Sequence, residues 1–319
     1  MSVTIGADIG GSSVDVVARD ASATIIARHR VTATMVGASQ VVSTAVDAIR
    51  ALDVKDFDGV GIGIPGRVDR NTGHVSLAVN LGVGAQPFDL AGAVADQLER
   101  PVTVENDVRA AVLGERERIG LSGRVSDNLA LISIGTGISA GVVASGALIR
   151  GAGGMAGEIG HVVVDELGPL CPCGQRGCLE ALAAGPAIGR AWPRGESSAA
   201  ATALFAAVES GDRAARKVAS RITGYLTTAL VWLSAAYDPE WVVLAGGVPA
   251  AGDSFLQLIR EEVAARAASS ELAARRLGPD QVVLADPSDP PGPRGAALLS
   301  ADSILQGRDL PADKQANNQ

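Results

Sequence analysis

A short apolar strand, a glycine turn carrying hydroxyls and an apolar return strand occur twice in this chain. Val3 to Ile9 runs into Gly10-Gly11 and returns through Val14 to Ala18. Leu129 to Ile134 runs into Gly135-Thr136-Gly137 and returns through Gly141 to Ala144. The recurrence is far wider than a solenoid period, so it implies two related α/β halves and not an array. The length agrees: 319 residues is too long for one small domain and suits two of about 150.

Strands and helices alternate along the rest of the chain. A third strand is expected over residues 24–31 and a helix over 39–52, with Ser39 as its cap. A buried strand over 60–64 is stopped by Pro65-Gly66. A helix over 87–100 with Asp89 in its first turn, a strand over 102–104 and a helix from Asp107 to Ile119 follow. Residues 193–198 read as a surface loop and 212–236 as one long helix. Then come a strand over 241–245 ending in Gly246-Gly247, a helix from Ser254, a strand over 281–285, a Pro-rich crossing over 287–293 and a helix over 295–306. Such alternation means an α/β fold, and the hairpins make its sheets mixed. With 47% apolar residues but only 3% aromatic ones, the core must be aliphatic.

The charge balance excludes several functions. A formal net charge of −8 argues against a nucleic-acid or membrane-surface binder. Lys occurs only at 55, 217 and 314, and no Gly-Lys pair exists, so a Walker A loop is ruled out. No apolar run approaches the ~20 residues of a membrane helix, and the N-terminus has no basic leader, which reads as a cytoplasmic protein. Gly137-Ile138-Ser139-Ala140-Gly141 spells a hydrolase elbow, but a strand follows it where a helix is required. Gly61 to Gly66 spells G-x-G-x-x-G, but its glycines lie within a strand that Pro65 ends.

Five constellations carry chemistry. Asp8-Ile9-Gly10-Gly11-Ser12-Ser13 places a carboxylate at a strand end, then two glycines and two hydroxyls. Glycines let backbone N–H groups approach phosphate oxygens, and a carboxylate can hold hydrated Mg²⁺. Alone, an ordinary hairpin explains it better. Ser133-Ile134-Gly135-Thr136-Gly137 repeats the arrangement, and two such hairpins could clamp a polyphosphate. In Val104-Glu105-Asn106-Asp107, Asp107 is either a helix cap or a general base for phosphoryl transfer to an alcohol. His161 with Cys171, Cys173 and Cys178 matches a closed Cys3His zinc site. An odd number of thiols in so short a span is a poor disulfide framework. Zinc there would fix the loop that carries Glu158 and Glu180, carboxylates suited to sugar hydroxyls. Val242 to Val248, ending in a Gly pair, is either a tight turn or a seat for a planar ring.

Together these segments resemble the ROK family (repressors, open reading frames, sugar kinases), part of the actin-like, hexokinase-type ATPase superfamily. The resemblance covers about Thr4 to Leu305. Its most specific part is Ala156-Gly157-Glu158-Ile159-Gly160-His161, followed by Cys171-Pro172-Cys173-Gly174-Gln175-Arg176-Gly177-Cys178-Leu179-Glu180. Ile62 to Asp69 and Glu105-Asn106-Asp107 are also similar to family segments. The resemblance implies two actin-like (ribonuclease H-like) domains, with mixed sheets flanked by helices, closing on a cleft. Residues 1–120 with 295–308 would form one, residues 121–294 the other, and 309–319 a flexible tail.

It further implies that Asp8, Gly10, Gly11, Ser12, Ser13, Gly135, Thr136 and Gly137 hold the phosphates of Mg-ATP, with Gly246 and Gly247 near adenosine. Asp107 would activate a sugar hydroxyl, usually the 6-hydroxyl of a hexose. Gly66, Asn80, Asn106, Asp107, Glu158, His161 and Glu180 would bind the sugar, and His161 would join the three Cys on a structural zinc. The expectation is an ATP-dependent sugar kinase, glucose by default, working as a homodimer or homotetramer with ATP, Mg²⁺ and Zn²⁺. The chain starts at its first strand, so no DNA-binding helix-turn-helix is expected. It departs from the family pattern at Ser12, Val83, Ser139 and Val108-Arg109. Arg109, two residues from Asp107, would pair with it or reach a phosphate. That supports a second reading, a sugar-binding protein without turnover; a Rossmann oxidoreductase is a remote third.

Overall fold

The structure is a computed structural model that describes residues 2–124, 126–194 and 200–305. The expected tail over 309–319, residue 306 of the last helix and residues 195–198 of the expected loop lie outside them. The chain divides into two compact units, Met1–Glu117 with Pro291–Gln319, and Arg118–Pro290.

The first unit contains β1 (Val3–Ile9), β2 (Ser13–Asp20), β3 (Ile25–Thr32), α1 (Ala38–Arg50), β4 (Gly59–Ile64), β5 (Arg67–Asp69), β6 (His74–Ser76), β7 (Phe88–Asp89), α2 (Leu90–Leu98) and β8 (Val102–Asn106). Helix α3 (Asp107–Leu121) leads into the second unit. There follow β9 (Leu129–Ile134), β10 (Ile138–Ala144), β11 (Ala147–Leu148), α4 (Leu179–Ala183), α5 (Gly185–Ala191), α6 (Ala200–Glu209), α7 (Arg213–Tyr237), β12 (Trp241–Ala245), α8 (Asp253–Ala267), α9 (Glu271–Arg276) and β13 (Val282–Leu284). Helix α10 (Pro291–Leu305) returns to the first unit.

The two five-stranded sheets run in the orders β3-β2-β1-β4-β8 and β11-β10-β9-β12-β13. In each, a hairpin strand pairs antiparallel with the central strand, and two later strands join parallel on its other side. The hairpin recurrence in the sequence is thus a recurrence of topology, and the fold is the mixed-sheet α/β fold that an actin-like chain requires. The elbow-like Gly137 to Gly141 enters β10, and the glycines at 61 and 63 lie inside β4, as expected.

Each unit has its own aliphatic core. In the first, Ile5, Ile9 and Ile62 pack with Val41 and Ala45 of α1 and Leu90 of α2. In the second, Ile132 and Leu244 pack with Leu226 and Leu230 of α7. Phe205 meets Phe255 edge-on at 5.3 Å. On the first sheet α10 lies so close that glycines clear its path. A Cβ at Gly61 would fall 1.7 Å from the Ala296 carbonyl oxygen, and one at Gly6 would fall 2.0 Å from that of Pro293. Arg294 of α10 pairs with Glu117 of α3 at 3.1 Å, and Arg19 of β2 grips the same carboxylate.

Local corrections have local causes. Ser39 lies inside α1; Gly37 is the cap position, and the Gln40 side chain accepts from the Val36 N–H at 2.8 Å. Asp89 caps α2 from outside, accepting from Gly92 at 2.8 Å. Strand β10 starts three residues before the expected Gly141, and α10 starts at Pro291, within the expected crossing. Pro is tolerated in a first helical turn because its missing N–H has no partner there. Among the described residues no helix is long and apolar enough to cross a membrane.

Candidate active site

In the first unit, the Gly10 N–H donates to the Ser13 carbonyl at 2.8 Å and closes the β1–β2 turn. Neither Gly10 nor Gly11 needs its glycine for packing. Their φ angles lie outside the left-handed range, and a Cβ would meet nothing nearer than 3.6 Å and 3.7 Å, the latter at Asn80. The open space is over the turn itself, with Ser12 exposed. Gly66 differs: its φ is +97°, and a Cβ would lie 2.7 Å from the Ser76 carbonyl oxygen, so the fold itself demands glycine there. Asn80 sits exposed on a single 3-10 turn, Val79–Leu81.

The strand β8 runs past its expected end to Asn106, which carries Asn106 and Asp107 to the start of α3. Asn106 serves as the cap: its Oδ1 accepts from the Val108 and Arg109 N–H groups at 3.1 and 3.2 Å, and its Nδ2 donates to the Gly66 carbonyl at 3.3 Å. Asp107 is therefore not needed as the cap. Glu105 was missed by sequence reasoning. Its Oε1 accepts from Arg109 Nε at 2.9 Å, with both side chains nearly sealed from solvent. The i,i+4 spacing of the two charges was the available signal.

Gly63 of β4 lies close to both Asp107 and Asp8: a Cβ there would meet the Asp107 Cα at 3.4 Å and Asp8 Oδ1 at 3.5 Å. Burial first, then Asp107 and Asp15, pushes the Asp8 carboxyl up to about 8, against a weaker pull from Arg30. Between the ordinary carboxylate range and that value, the folded chain holds a proton that the unfolded chain has lost. Stability therefore falls as pH rises through this window. In nucleotide-free protein, Asp8→Asn is expected to remove this slope and to be the more stable form above pH 8. Denaturant titrations at about pH 5 and about pH 8.5 check it, and parallel profiles for the two proteins would refute it.

In the second unit, the β9–β10 turn and the end of β12 meet. The Val248 N–H donates to the Ile134 carbonyl at 2.9 Å, and the Gly185 N–H donates to that of Gly135 at 2.8 Å. A Cβ at Gly135 or Gly247 would meet nothing within 4 Å, whereas one at Gly246 would strike the Ile134 carbonyl oxygen at 2.6 Å. Glu180, at the start of α4, reaches this turn: Oε2 accepts the Ile138 N–H at 3.0 Å and occupies the space of a Gly137 side chain.

The signature around Glu158 is built by close approach to β10. The Ala140 N–H donates to the Gly157 carbonyl at 2.8 Å. A Cβ at Gly157, where φ is +100°, would fall 1.9 Å from the Ala140 carbonyl oxygen. Gly157→Ala is therefore expected to lower stability by about 1–3 kcal/mol or more, read as a fall in midpoint denaturant concentration. An unchanged midpoint would refute this packing account. Glu158 is half-buried, and its carbonyl accepts the His161 N–H at 3.2 Å.

His161 Nδ1 lies 3.7 Å from Cys171 Sγ, and Cys173 Sγ lies 3.6 Å from Cys178 Sγ. All four ligand atoms fall within 4.8 Å of one another. A tetrahedron with Zn–S of about 2.3 Å and Zn–N of about 2.0–2.1 Å has edges of roughly 3.5–3.8 Å, so this donor set fits zinc. A hydrogen bond from the Gln175 backbone lowers the Cys173 thiol to about 7, while burial pushes Cys178 up to about 12. The Gln175 side chain donates to the His161 carbonyl at 3.2 Å and steadies the loop from behind.

Comparison with known proteins agrees with these features. The family model described as the ROK family matches residues 4–303. A glucokinase of Halalkalibacterium halodurans is 33% identical over 286 residues, 82% of this chain and 86% of its own. A glucokinase of Thermotoga maritima is 35% identical over 281 residues, 81% of this chain and 86% of its own. The solved structure of a ROK family glucokinase from Streptomyces griseus, in complex with glucose and AMPPNP, superposes with a TM-score of 0.77 at 29% identity, over 96% of this chain and 100% of that one. With its hairpin topology, its His-Cys cluster and a family match across nearly its whole described length, this chain belongs to the ROK family.

Proposed function

We propose that this chain is an ATP-dependent sugar kinase that phosphorylates a hexose hydroxyl, the 6-hydroxyl of glucose being the first candidate. The observation that carries it is the pair of hairpin turns whose glycines at 10, 11 and 135 have no packing reason to be glycine. Turns with open space beside them let phosphate oxygens approach the backbone closely. The glucokinase relatives support the same reading.

Asp107 takes the proton of the sugar hydroxyl as its oxygen attacks the γ-phosphorus in line. The bond to the β,γ-bridging oxygen breaks and ADP leaves. Asn106 fixes the strand–helix junction that aims Asp107. Glu180 spends Oε2 on Ile138 and keeps Oε1 for a sugar hydroxyl. His161 turns Nδ1 to the thiolates and keeps Nε2 for the sugar. Glu158, Gly66 and Asn80 complete the sugar contacts, and Gly246-Gly247 flank the nucleotide base. Bound Mg²⁺ would neutralise phosphate charge, with Asp8 as the carboxylate serving it; zinc would be structural. The enzyme would work in the cytoplasm as two or four copies.

The reading without turnover rested on Arg109 beside Asp107. Arg109 is buried in an ion pair with Glu105, so its Nε is spent on that carboxylate. ADP release from Mg-ATP across hexoses and N-acetylhexosamines is the test. Sugar-dependent turnover on one of them is expected. Saturable sugar binding with no turnover on any, in zinc-loaded folded protein, would overturn the kinase reading.

A further inference from the structure

On the second unit, α5, α7 and the zinc-loop segment at 165–169 enclose a cavity of about 330 Å³, to which no residue with a role above contributes a wall. Leu182 and Ile222 give it apolar walls, while Asp165, Arg190, Arg221 and Tyr225 bring polar atoms to it. The Asp165 carboxylate is already spent: Oδ1 accepts the Leu167 N–H and Oδ2 accepts the Tyr225 hydroxyl, each at 3.1 Å. Arg190 gives one N–H to the Ala181 carbonyl at 3.1 Å and keeps the rest of its fork. Among the described residues Arg221 makes no hydrogen bond or ion pair, and it lies near enough to Tyr225 to favour its ionised form.

The unspent chemistry of the cavity is therefore two guanidinium groups, on different helices, over a small apolar wall. Guanidinium forks match phosphate oxygens in number and plane. The volume lies at the low end of the roughly 300–1,000 Å³ of small-molecule sites, which suits a molecule of monosaccharide size and excludes a dinucleotide. We propose that this cavity binds the phosphate monoester of a small polyol, its phosphate held by Arg190 and Arg221, as a second ligand site on the chain. Asp165 and Pro169 belong to the loop between His161 and Cys171, and Ala181 and Leu182 follow Glu180 directly. An occupant thus bears on both segments assigned to the sugar, and changes sugar affinity. That coupling rests on the kinase reading; the binding itself does not.

The test is calorimetric titration of the full-length, zinc-loaded protein with glucose 6-phosphate, and with inorganic phosphate as a second probe. Saturable binding of the ester is expected, tighter than that of phosphate. Arg190→Ala and Arg221→Ala should each weaken it about tenfold or more. Both side chains are exposed, so the variants should fold and keep kcat in the absence of ester. An inactive chain that still shows this pattern would uphold the site and sink the kinase reading. The proposal fails if no saturable binding occurs, or if binding is equal in wild type and both variants and is displaced by substrate sugar. It also fails if Arg221→Ala changes the oligomeric mass and leaves ester binding intact.

Discussion

Asp107→Asn is expected to lower sugar-dependent ADP release by about 10²- to 10⁴-fold, the usual contribution of a positioned general base, while sugar affinity stays within a few-fold. The reason for the split is structural. Asn106, not Asp107, caps α3, so the amide at 107 leaves the helix start intact. The substitution keeps shape and removes only basicity. It also removes the second-largest push on Asp8, so the raised carboxyl there should fall, which a titration of the nucleotide-free variant reads independently. Near-wild-type turnover in Asp107→Asn would show that another group accepts the proton.

Removing the metal is expected to have the second large effect. Structural zinc contributes about 10–16 kcal/mol of apparent binding free energy in zinc-finger peptides near neutral pH. The apolar packing within the loop is small. Its buried apolar cluster is Cys171, Cys178 and Ala181, two of them thiols, while Leu167 and Leu170 stand exposed. About one zinc per chain should be found by elemental analysis. Cys178→Ser, or chelation, should release it and weaken sugar binding by at least about tenfold, with a fall in unfolding temperature. Metal-free protein with unchanged sugar affinity would dismiss both the site and its link to Glu158 and Glu180.

Much of this was legible in the residues. Gly turns between apolar runs marked both hairpins, and the short spacing of the thiols marked the cluster. What escaped the sequence was decided by contacts between distant segments. Glu105 and Asn106 are polar and read as the end of a strand, yet parallel pairing with Gly63 and Ile64 carries β8 through them. Strands β5, β6 and β7 are two or three residues long, too short for any alternation to show. The reading of Glu180 as a sugar ligand did not include its bond to Ile138, because the two are 42 residues apart. Likewise nothing local in Gly292 announces that a Cβ there would strike Asp8 Oδ2 at 2.1 Å.

The bed that glycines clear for α10 has a consequence for how the molecule is made. The first unit takes its last helix from the far end of the chain, at Pro291–Leu305, after the whole of the second unit has been written. During synthesis, β1 and β4 emerge early, with a groove along their glycine face that only this late helix fills. The contiguous second unit has no such wait and is free to fold as soon as β13 appears. The unit that begins first is thus the one completed last, and a chain ending before residue 291 would have a complete second unit but an open first sheet, the kind of exposed intermediate that chaperones protect.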